Sequence, residues 1–453
     1  MKSSLTTDAL SSIRAELKKS NATFNAAFPG APFARQAVHT VYGGAQIFSA
    51  TTARKMSDVA LRFVDEYAPT PQLLAEALGL PGGMQSRSMW KVVHERMIGK
   101  LKREAVEDFR IDFEDGYGTR PDAEEDGHAA QAAREVATGM KQKSLPPFIG
   151  IRIKPLSEEC APRSLRTLDI FLSTLLAESG NKLPDNFVVT LPKITHAGQS
   201  VALSQALAQI EKSHKLPSGT LKLELMVETT QAILDQDGRC PLREFVAAAD
   251  GRCIGAHFGT YDYTAGCDIT AQHQTMLNPV CDFAKHMMKV ALAGTPVMLS
   301  DGATNIMPVG PHRAPEGGEL DNEQMAENVA VVHRAWQLSY AHVMYSLKTG
   351  FYQGWDLHPG QLPVRYAAVY AFFLESAEAA SARLKAFVEK AAKATLLGDV
   401  FDDAATGQGL LNFFLRGMSC GAIAESEALA TGLTIAEFQS RSFKKILDGR
   451  TGK

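Results

Sequence analysis

The segment Arg110-Ile111-Asp112-Phe113-Glu114-Asp115-Gly116 places three acids within four positions at the end of a strand-like run. Successive strand side chains point to opposite faces, so Asp112 and Glu114 share one face and Phe113 takes the other. A solvated turn is the plain alternative, but apolar residues precede and interleave the acids. Neighbouring carboxylates repel unless a cation or a proton compensates them, and their simplest joint use is a divalent metal site. The next strand-like run, Phe148-Ile149-Gly150-Ile151-Arg152-Ile153-Lys154, puts Arg152 and Lys154 on a common face. A guanidinium inside an apolar strand is costly without a partner and presents a planar fork to a carboxylate or oxyanion. Its plain alternative is an ion pair with the preceding acids. Lys193 ends Leu191-Pro192-Lys193, and Glu228 ends the apolar run Leu223 to Val227, where Glu224 shares its parity and is expected to be structural. Asp262 follows Phe258-Gly259-Thr260-Tyr261, and His358 follows Asp356-Leu357. Taken alone, each of these would be a cap or a turn residue. Placed at the ends of successive strands, carboxylates can chelate one hard cation, and Mg²⁺ suits them because it accepts one or two protein carboxylates and fills its other positions with water and substrate oxygens.

Such a constellation needs a frame that brings many strand ends together. Strand-like runs recur at Val38 to Phe48, Phe109 to Phe113, Phe148 to Ile153, Phe187 to Leu191, Leu221 to Val227, Cys253 to Phe258, Pro296 to Leu299 and Gln353 to Leu357. Most are followed by a turn and a helical stretch. Helices are expected over Arg87 to Val106, Leu165 to Ser179, Val201 to Ser213, Leu320 to Thr349 and Tyr366 to Leu397, and a turn region over Asp399 to Gly409. Eight strands alternating with helices predict an α/β chain folded as a closed (β/α)8 TIM barrel. The expected organisation is a helical leader over 1–37, the barrel with insertions over 38–363 and a helical extension over 364–453.

Composition agrees with a globular enzyme-sized chain. At 453 residues it exceeds the roughly 250 to 300 at which one core stops growing. Hydrophobic residues make up 45% and charged residues 21%, which excludes wholesale disorder. Forty-seven basic against 50 acidic residues give a formal charge of -3, so no global basic footprint points to nucleic acid. No apolar run approaches the ~20 residues of a bilayer span. Cys160, Cys240, Cys253, Cys267, Cys281 and Cys420 form no C-x-x-C pair and are too dilute for a disulfide framework. A reduced, cytoplasmic protein is expected.

Six motifs stand in a recognisable order: D-F-E-D at Asp112 to Asp115, I-R-I-K at Ile151 to Lys154, L-P-K at Leu191 to Lys193, M-V-E-T at Met226 to Thr229, F-G-T-Y-D at Phe258 to Asp262 and H-P-G-Q at His358 to Gln361. In this order, one per strand, they resemble the citrate lyase β-subunit family, the wider group of malyl-CoA lyases, HpcH/HpaI aldolases and, more distantly, malate synthases. The segment Ala291 to Gly302 is similar to that family's seventh-strand region. The resemblance covers about residues 38–365. It implies a TIM barrel whose Mg²⁺ is held by Glu228 and Asp262, with Asp112 and Glu114 reaching metal-bound waters and Arg152 contacting the carbonyl or enolate oxygen of a 2-oxoacid. The chain departs from the family's pattern at Gly116-Tyr117-Gly118, where Ala-Val is usual. Tyr263 to Lys285 and the helical tail have no counterpart.

The expectation is a Mg²⁺-dependent carbon-carbon lyase or aldolase acting on a small 2-oxoacid or its 2-hydroxyacyl adduct, including a coenzyme A thioester. Arg152, Asp112, Glu114 and His358 are expected at the chemistry, Arg152 and Lys193 at the substrate, and Glu228 and Asp262 at the metal. Asp301, His358 and Lys193 are candidate general bases. The expected partner is a small oxoacid rather than nucleic acid or membrane, in a homo-oligomer. Two rival readings are phosphoryl transfer on pyruvate or phosphoenolpyruvate, and a subunit that binds an oxoacid without turnover.

Overall fold

A computed structural model describes residues 4–30, 34–80, 84–314, 317–389, 395–397, 400–402 and 404–451. Eight parallel strands form one sheet in the order β7-β6-β5-β4-β3-β2-β1-β8, namely β1 His39–Gly44, β2 Asp108–Asp112, β3 Phe148–Arg152, β4 Phe187–Leu191, β5 Lys222–Val227, β6 Cys253–Phe258, β7 Met298–Ser300 and β8 Gly354–Asp356. The last seam closes just beyond β7: Ala303 bridges Trp355 in parallel, Asp301 N donates to Gln353 O at 2.9 Å and Trp355 N to Gly302 O at 3.0 Å. This is the expected TIM barrel, and the strands fall within their predicted runs except that β2 begins one residue earlier, at Asp108, and β7 ends one residue later, at Ser300.

The strand alternation sorts chemistry into two faces. Phe109, Ile111, Ile149, Ile151, Val189, Leu191, Leu223, Leu225, Ala256 and Phe258 are buried between the sheet and its helices. The other parity, Asp108, Arg110, Asp112, Arg152, Thr190, Glu224 and His257, is equally buried and fills the barrel interior with paired polar groups. Apolar burial on the outer face supplies the driving force for closure, and the inner face uses hydrogen bonds and ion pairs where such barrels commonly use branched aliphatics.

The helices match their sequence signals. Asn322–Lys348 starts at a capping box in which the Asp321 carboxylate accepts from Gln324 N and Gln324 Oε1 accepts from Asp321 N. The chain after β8 continues as the helix Leu362–Glu389, which packs against Met84–Glu104 and Asn322–Lys348 and so completes the outer ring. The expected helix to Leu397 is corrected at its end. Thr395–Leu397 and Val400–Asp402 pair antiparallel as β9 and β10. Two short apolar runs flanking Gly398-Asp399 are a hairpin signal that helix propensity overrode. The expected turn region likewise gives way to the helix Ala404–Ser419. At the other end the leader forms the helix Thr7–Ala27, with no buried residue. All six cysteines are free. Among the described residues, no helix is long and apolar enough to cross a membrane.

Candidate functional site

Arg152 anchors the upper end of the barrel interior. Its Nε donates to Asp112 Oδ1 at 2.7 Å and its Nη2 to Asp112 Oδ2 at 2.5 Å, a bidentate pair between neighbouring strands β2 and β3. Asp112 also accepts from Glu114 N at 3.0 Å and Gly116 N at 2.7 Å, so both its oxygens are committed. A Cβ at Gly116 would sit 2.6 Å from Asp112 Oδ2, which gives a physical reason for glycine at the position that departs from the family pattern. Asp112 therefore holds Arg152 rather than facing outward as a base or ligand. The guanidinium lies 4.8 Å from the Tyr42 ring centroid and 5.6 Å from that of Trp355, rings themselves 4.3 Å apart. Burial pulls the Arg152 pKa down, but the Asp112 hydrogen bonds and the Asp112 and Glu114 charges outweigh it and leave the pKa above its ordinary value.

Lys193 gathers the remaining acids. Its backbone is left-handed, at φ 49°, and its N donates to Glu228 Oε1 at 2.8 Å. Its ammonium pairs with Glu114, with Asp115 Oδ2 at 3.1 Å and with Asp262 Oδ2 at 3.4 Å. Glu114 Oε2 stands 3.0 Å from Arg152 Nη1. Asp262 lies in the first turn of the helix Thr260–Gly266. Glu228 leans over Gly259, where a Cβ would come within 2.3 Å of its Oε2, so glycine opens the cradle that the carboxylate occupies.

The charge balance is unequal. Among the described residues, Asp112, Glu114, Asp115, Glu228 and Asp262 face only Arg152 and Lys193, five carboxylates against two cations. The consequence falls on the most deeply buried member. Burial and the Asp262 charge push Glu228 up to about 8, and burial raises Glu114 despite Arg152 and Lys193. A further cation is what such a group of acids electrostatically favours. Among the described residues no group of three or more His, Cys, Asp and Glu side chains is arranged to hold a metal. A two-carboxylate set of Glu228 and Asp262 nonetheless suits Mg²⁺, which retains waters and takes ligand oxygens for its other positions. Beside Arg152, Tyr42 Oη and Trp355 Nε1 are buried without a hydrogen-bond partner among the described residues. Native interiors rarely leave such atoms unpaired except where a ligand or water meets them.

The structure thus brings Asp112, Glu114, Arg152, Lys193, Glu228 and Asp262 together, and it places the other candidates elsewhere. Lys154 reaches across to Phe113 O at 2.6 Å and Glu125 Oε2 at 3.0 Å, where it ties down the loop after β2. Asp301 is buried behind β7, accepting from Ser346 Oγ at 2.6 Å, Lys285 Nζ at 3.3 Å and Gly302 N at 2.8 Å. His358 Nδ1 accepts from Gly360 N at 3.0 Å, and its ring packs edge-on to Phe63 at 5.5 Å. It caps the turn Pro359–Gln361 instead of joining the acids. Sequence reading missed Tyr42 and Trp355. Their strand parity matched the inward face, but an aromatic residue in a strand reads first as core.

The architecture is similar to that of solved structures. A citrate lyase from Burkholderia xenovorans LB400 is 16% identical and superposes over 87% of this chain and 96% of its own, with a TM-score of 0.53. A malate synthase of Haloferax volcanii in complex with lead(II) is 13% identical over 92% of this chain and 99% of its own, at a TM-score of 0.46. The CitE protein of Mycobacterium tuberculosis in complex with magnesium, acetoacetate and coenzyme A is 15% identical over 86% and 100%, at 0.45. At these identities the likeness is one of fold, carried by the first. No curated protein matches the chain in sequence. A family model described as Domain of unknown function (DUF6986) matches residues 17–446, and the chain belongs to that family.

Proposed function

We propose that the chain is a Mg²⁺-dependent carbon-carbon lyase or aldolase acting on a small 2-oxoacid or its 2-hydroxyacyl adduct. The observation that carries this reading is Arg152. Asp112 holds two of its nitrogens, Nη1 pairs with Glu114 Oε2 at 3.0 Å, and an acid cluster in excess of cations surrounds it. Glu228 and Asp262 would hold the Mg²⁺, and the ion would supply positive charge against a developing enolate and the carboxylate beside it. Arg152 would donate to the enolate oxygen from a position that Asp112, Tyr42 and Trp355 fix in advance, so little reorganisation is needed when charge develops. The Lys193 ammonium would exchange a carboxylate of the cluster for that of the substrate. A thioester substrate would enter the same mouth with its acyl end foremost.

The test is proton exchange at the pyruvate methyl group in deuterated water, followed by proton NMR with and without Mg²⁺. Metal-dependent exchange is expected, lowered about 10²- to 10³-fold in Arg152→Lys by loss of an aligned donor and abolished in Glu228→Gln. The panel continues to oxaloacetate and acyl-CoA thioesters. No enolisation or cleavage across that panel, or full exchange in Arg152→Lys, overturns the reading.

A further inference from the structure

A second charged cavity lies at the opposite end of the barrel, where the C-terminal helices meet the N-terminal ends of the strands. It encloses about 760 Å³ between the helix Ala404–Ser419, the helix Phe443–Thr451 and the segment leading into β1. A smaller space of about 200 Å³ adjoins it, sharing Tyr352 and Arg416 and reaching Lys289. Arg416 stands at the junction. Its Nη1 donates to Gln36 Oε1 at 2.6 Å and its guanidinium lies 5.0 Å from the Tyr352 ring centroid. Arg441, Lys445, Ser419 and Ser442 complete a wall of donors, and no described residue lining either space is acidic.

Arg416 and Lys289 depart from the pairing that the molecule's other buried arginines show. Arg35, Arg110, Arg152, Arg163, Arg252 and Arg365 are each paired with a carboxylate. Buried or half-buried charge is normally retained only with such a partner, because desolvation is otherwise uncompensated. Among the described residues, neither Arg416 nor Lys289 has an acidic partner; Lys289 donates to Gly350 O and lies 4.7 Å from the Phe351 ring centroid. These cations also repel one another. Burial and then the Arg416 charge pull Lys289 down to about 8 against the weaker pull of Asp301, and burial holds Arg416 below its ordinary value. What is missing from the cluster is an anion.

We propose that this cavity binds the phosphate group of a small molecule, with Arg416 as the central donor and Lys445, Lys289 and the serine hydroxyls around it. A guanidinium fork matches a phosphate in both geometry and charge. A dianion offsets two cations at once, and the volume lies in the range of small-molecule sites. The site is separate from the acid-lined mouth and does not depend on the lyase reading.

Calorimetric titration of the full chain with inorganic phosphate tests it, against potassium chloride at matched ionic strength. Saturable binding is expected, weakened about tenfold in Arg416→Gln through loss of one charge-assisted contact. Lys445 is exposed, so Lys445→Glu leaves the fold intact and should weaken binding severalfold even if Arg416→Gln unfolds. ADP titrated in parallel separates the sources: tighter binding than phosphate assigns the site to a phosphate ester, equal binding to the free ion, and both uphold phosphate recognition. Heats no larger than those of chloride, or an affinity unchanged in Lys445→Glu, overturn it.

Discussion

The barrel interior holds two charged layers built from the same strands, and their glutamates on β5 and just beyond it behave in opposite ways. In the lower layer Arg110 donates to Glu224 Oε1 at 2.8 Å and Oε2 at 2.9 Å and pairs with Asp108, which also accepts from Thr40 Oγ1 at 2.9 Å. His257 Nε2 stands 3.1 Å from Glu224 Oε2. The upper layer repeats the theme four residues further along β2 and β5, with Asp112 above Asp108 and Glu228 above Glu224, ~13 Å away at the strand rise. Burial raises Glu224, but Arg110 and His257 outweigh it and hold it well below the usual carboxylate range. Burial raises Glu228 too, and there Asp262 adds to it. No side-chain atom of Asp108, Arg110 or Glu224 lacks a hydrogen-bond partner, whereas the Tyr42 hydroxyl and Trp355 Nε1 beside Arg152 have none among the described residues. Balanced charge marks a layer that holds the barrel, and an excess of carboxylates over cations a layer that faces a ligand.

Breaking the lower layer should therefore cost far more stability than breaking the upper one. Arg110→Met leaves Asp108 and Glu224 buried without their shared cation, and removing one partner of such a set costs about 3–5 kcal/mol. Glu228→Gln replaces a carboxyl whose charged form burial and the Asp262 charge already disfavour. Its effect on unfolding should stay within about 1 kcal/mol. Urea unfolding of the two variants decides the matter; equal losses would erase the distinction between the layers.

The parity of the strands made most of this legible beforehand. Asp112, Arg152, Glu228 and the structural role of Glu224 follow from alternation along single strands, and the eight runs themselves declared the barrel. What escaped was information held between distant segments. Asp301 resembles a catalytic acid until Lys285 and Ser346 are brought against it from two helices. The hold of Asp112 on Arg152 was present only as one of two readings, an ion pair or a functional arginine, and the structure joins them in one contact. Tyr42 and Trp355 lie more than three hundred residues apart, and only closure of the β1–β8 seam makes them a shelf for the guanidinium. Arg416 left no sequence signal, because a lone arginine on a helix reads as a solvated face.

The same seam supplies a pH signature in the lower half. His39 is fully buried, with Nε2 accepting from Glu107 N at 3.1 Å and Nδ1 facing Asp356 Oδ2 at 3.6 Å. Burial lowers its pKa to about 4 against the pull of Asp356 and Glu107. The unfolded imidazole, at about 6.5, binds a proton that the native one refuses. Its contribution is thus fully present above pH 6.5 and is lost as pH falls from there through 4, with a slope of at most about 1.4 kcal/mol per unit. His39→Asn should flatten that limb of the stability curve relative to the unsubstituted protein, as measured by urea midpoints from pH 7 to 4. An identical slope in both would mean that His39 is protonated in the native state.

The smallest expected effect separates the two roles open to His358, a reacting group or a cap. Its Nδ1 accepts from Gly360 N, while Gln361 Oε1 accepts from Leu357 N at 2.8 Å and His358 N at 3.1 Å, a reciprocal arrangement that fixes the turn after β8. Burial holds the imidazole below its ordinary pKa, which keeps Nδ1 available as an acceptor. Loss of a capping acceptor costs about 1 kcal/mol, and asparagine is among the side chains that replace it best. His358→Ala should accordingly lower stability by about that amount, and His358→Asn should recover most of it. Proton exchange at pyruvate is the companion measurement, because an asparagine can cap the turn but cannot carry a proton. If His358→Asn restores stability and the exchange rate together, the histidine serves the turn; if stability returns and exchange does not, the imidazole belongs to the chemistry of the upper layer.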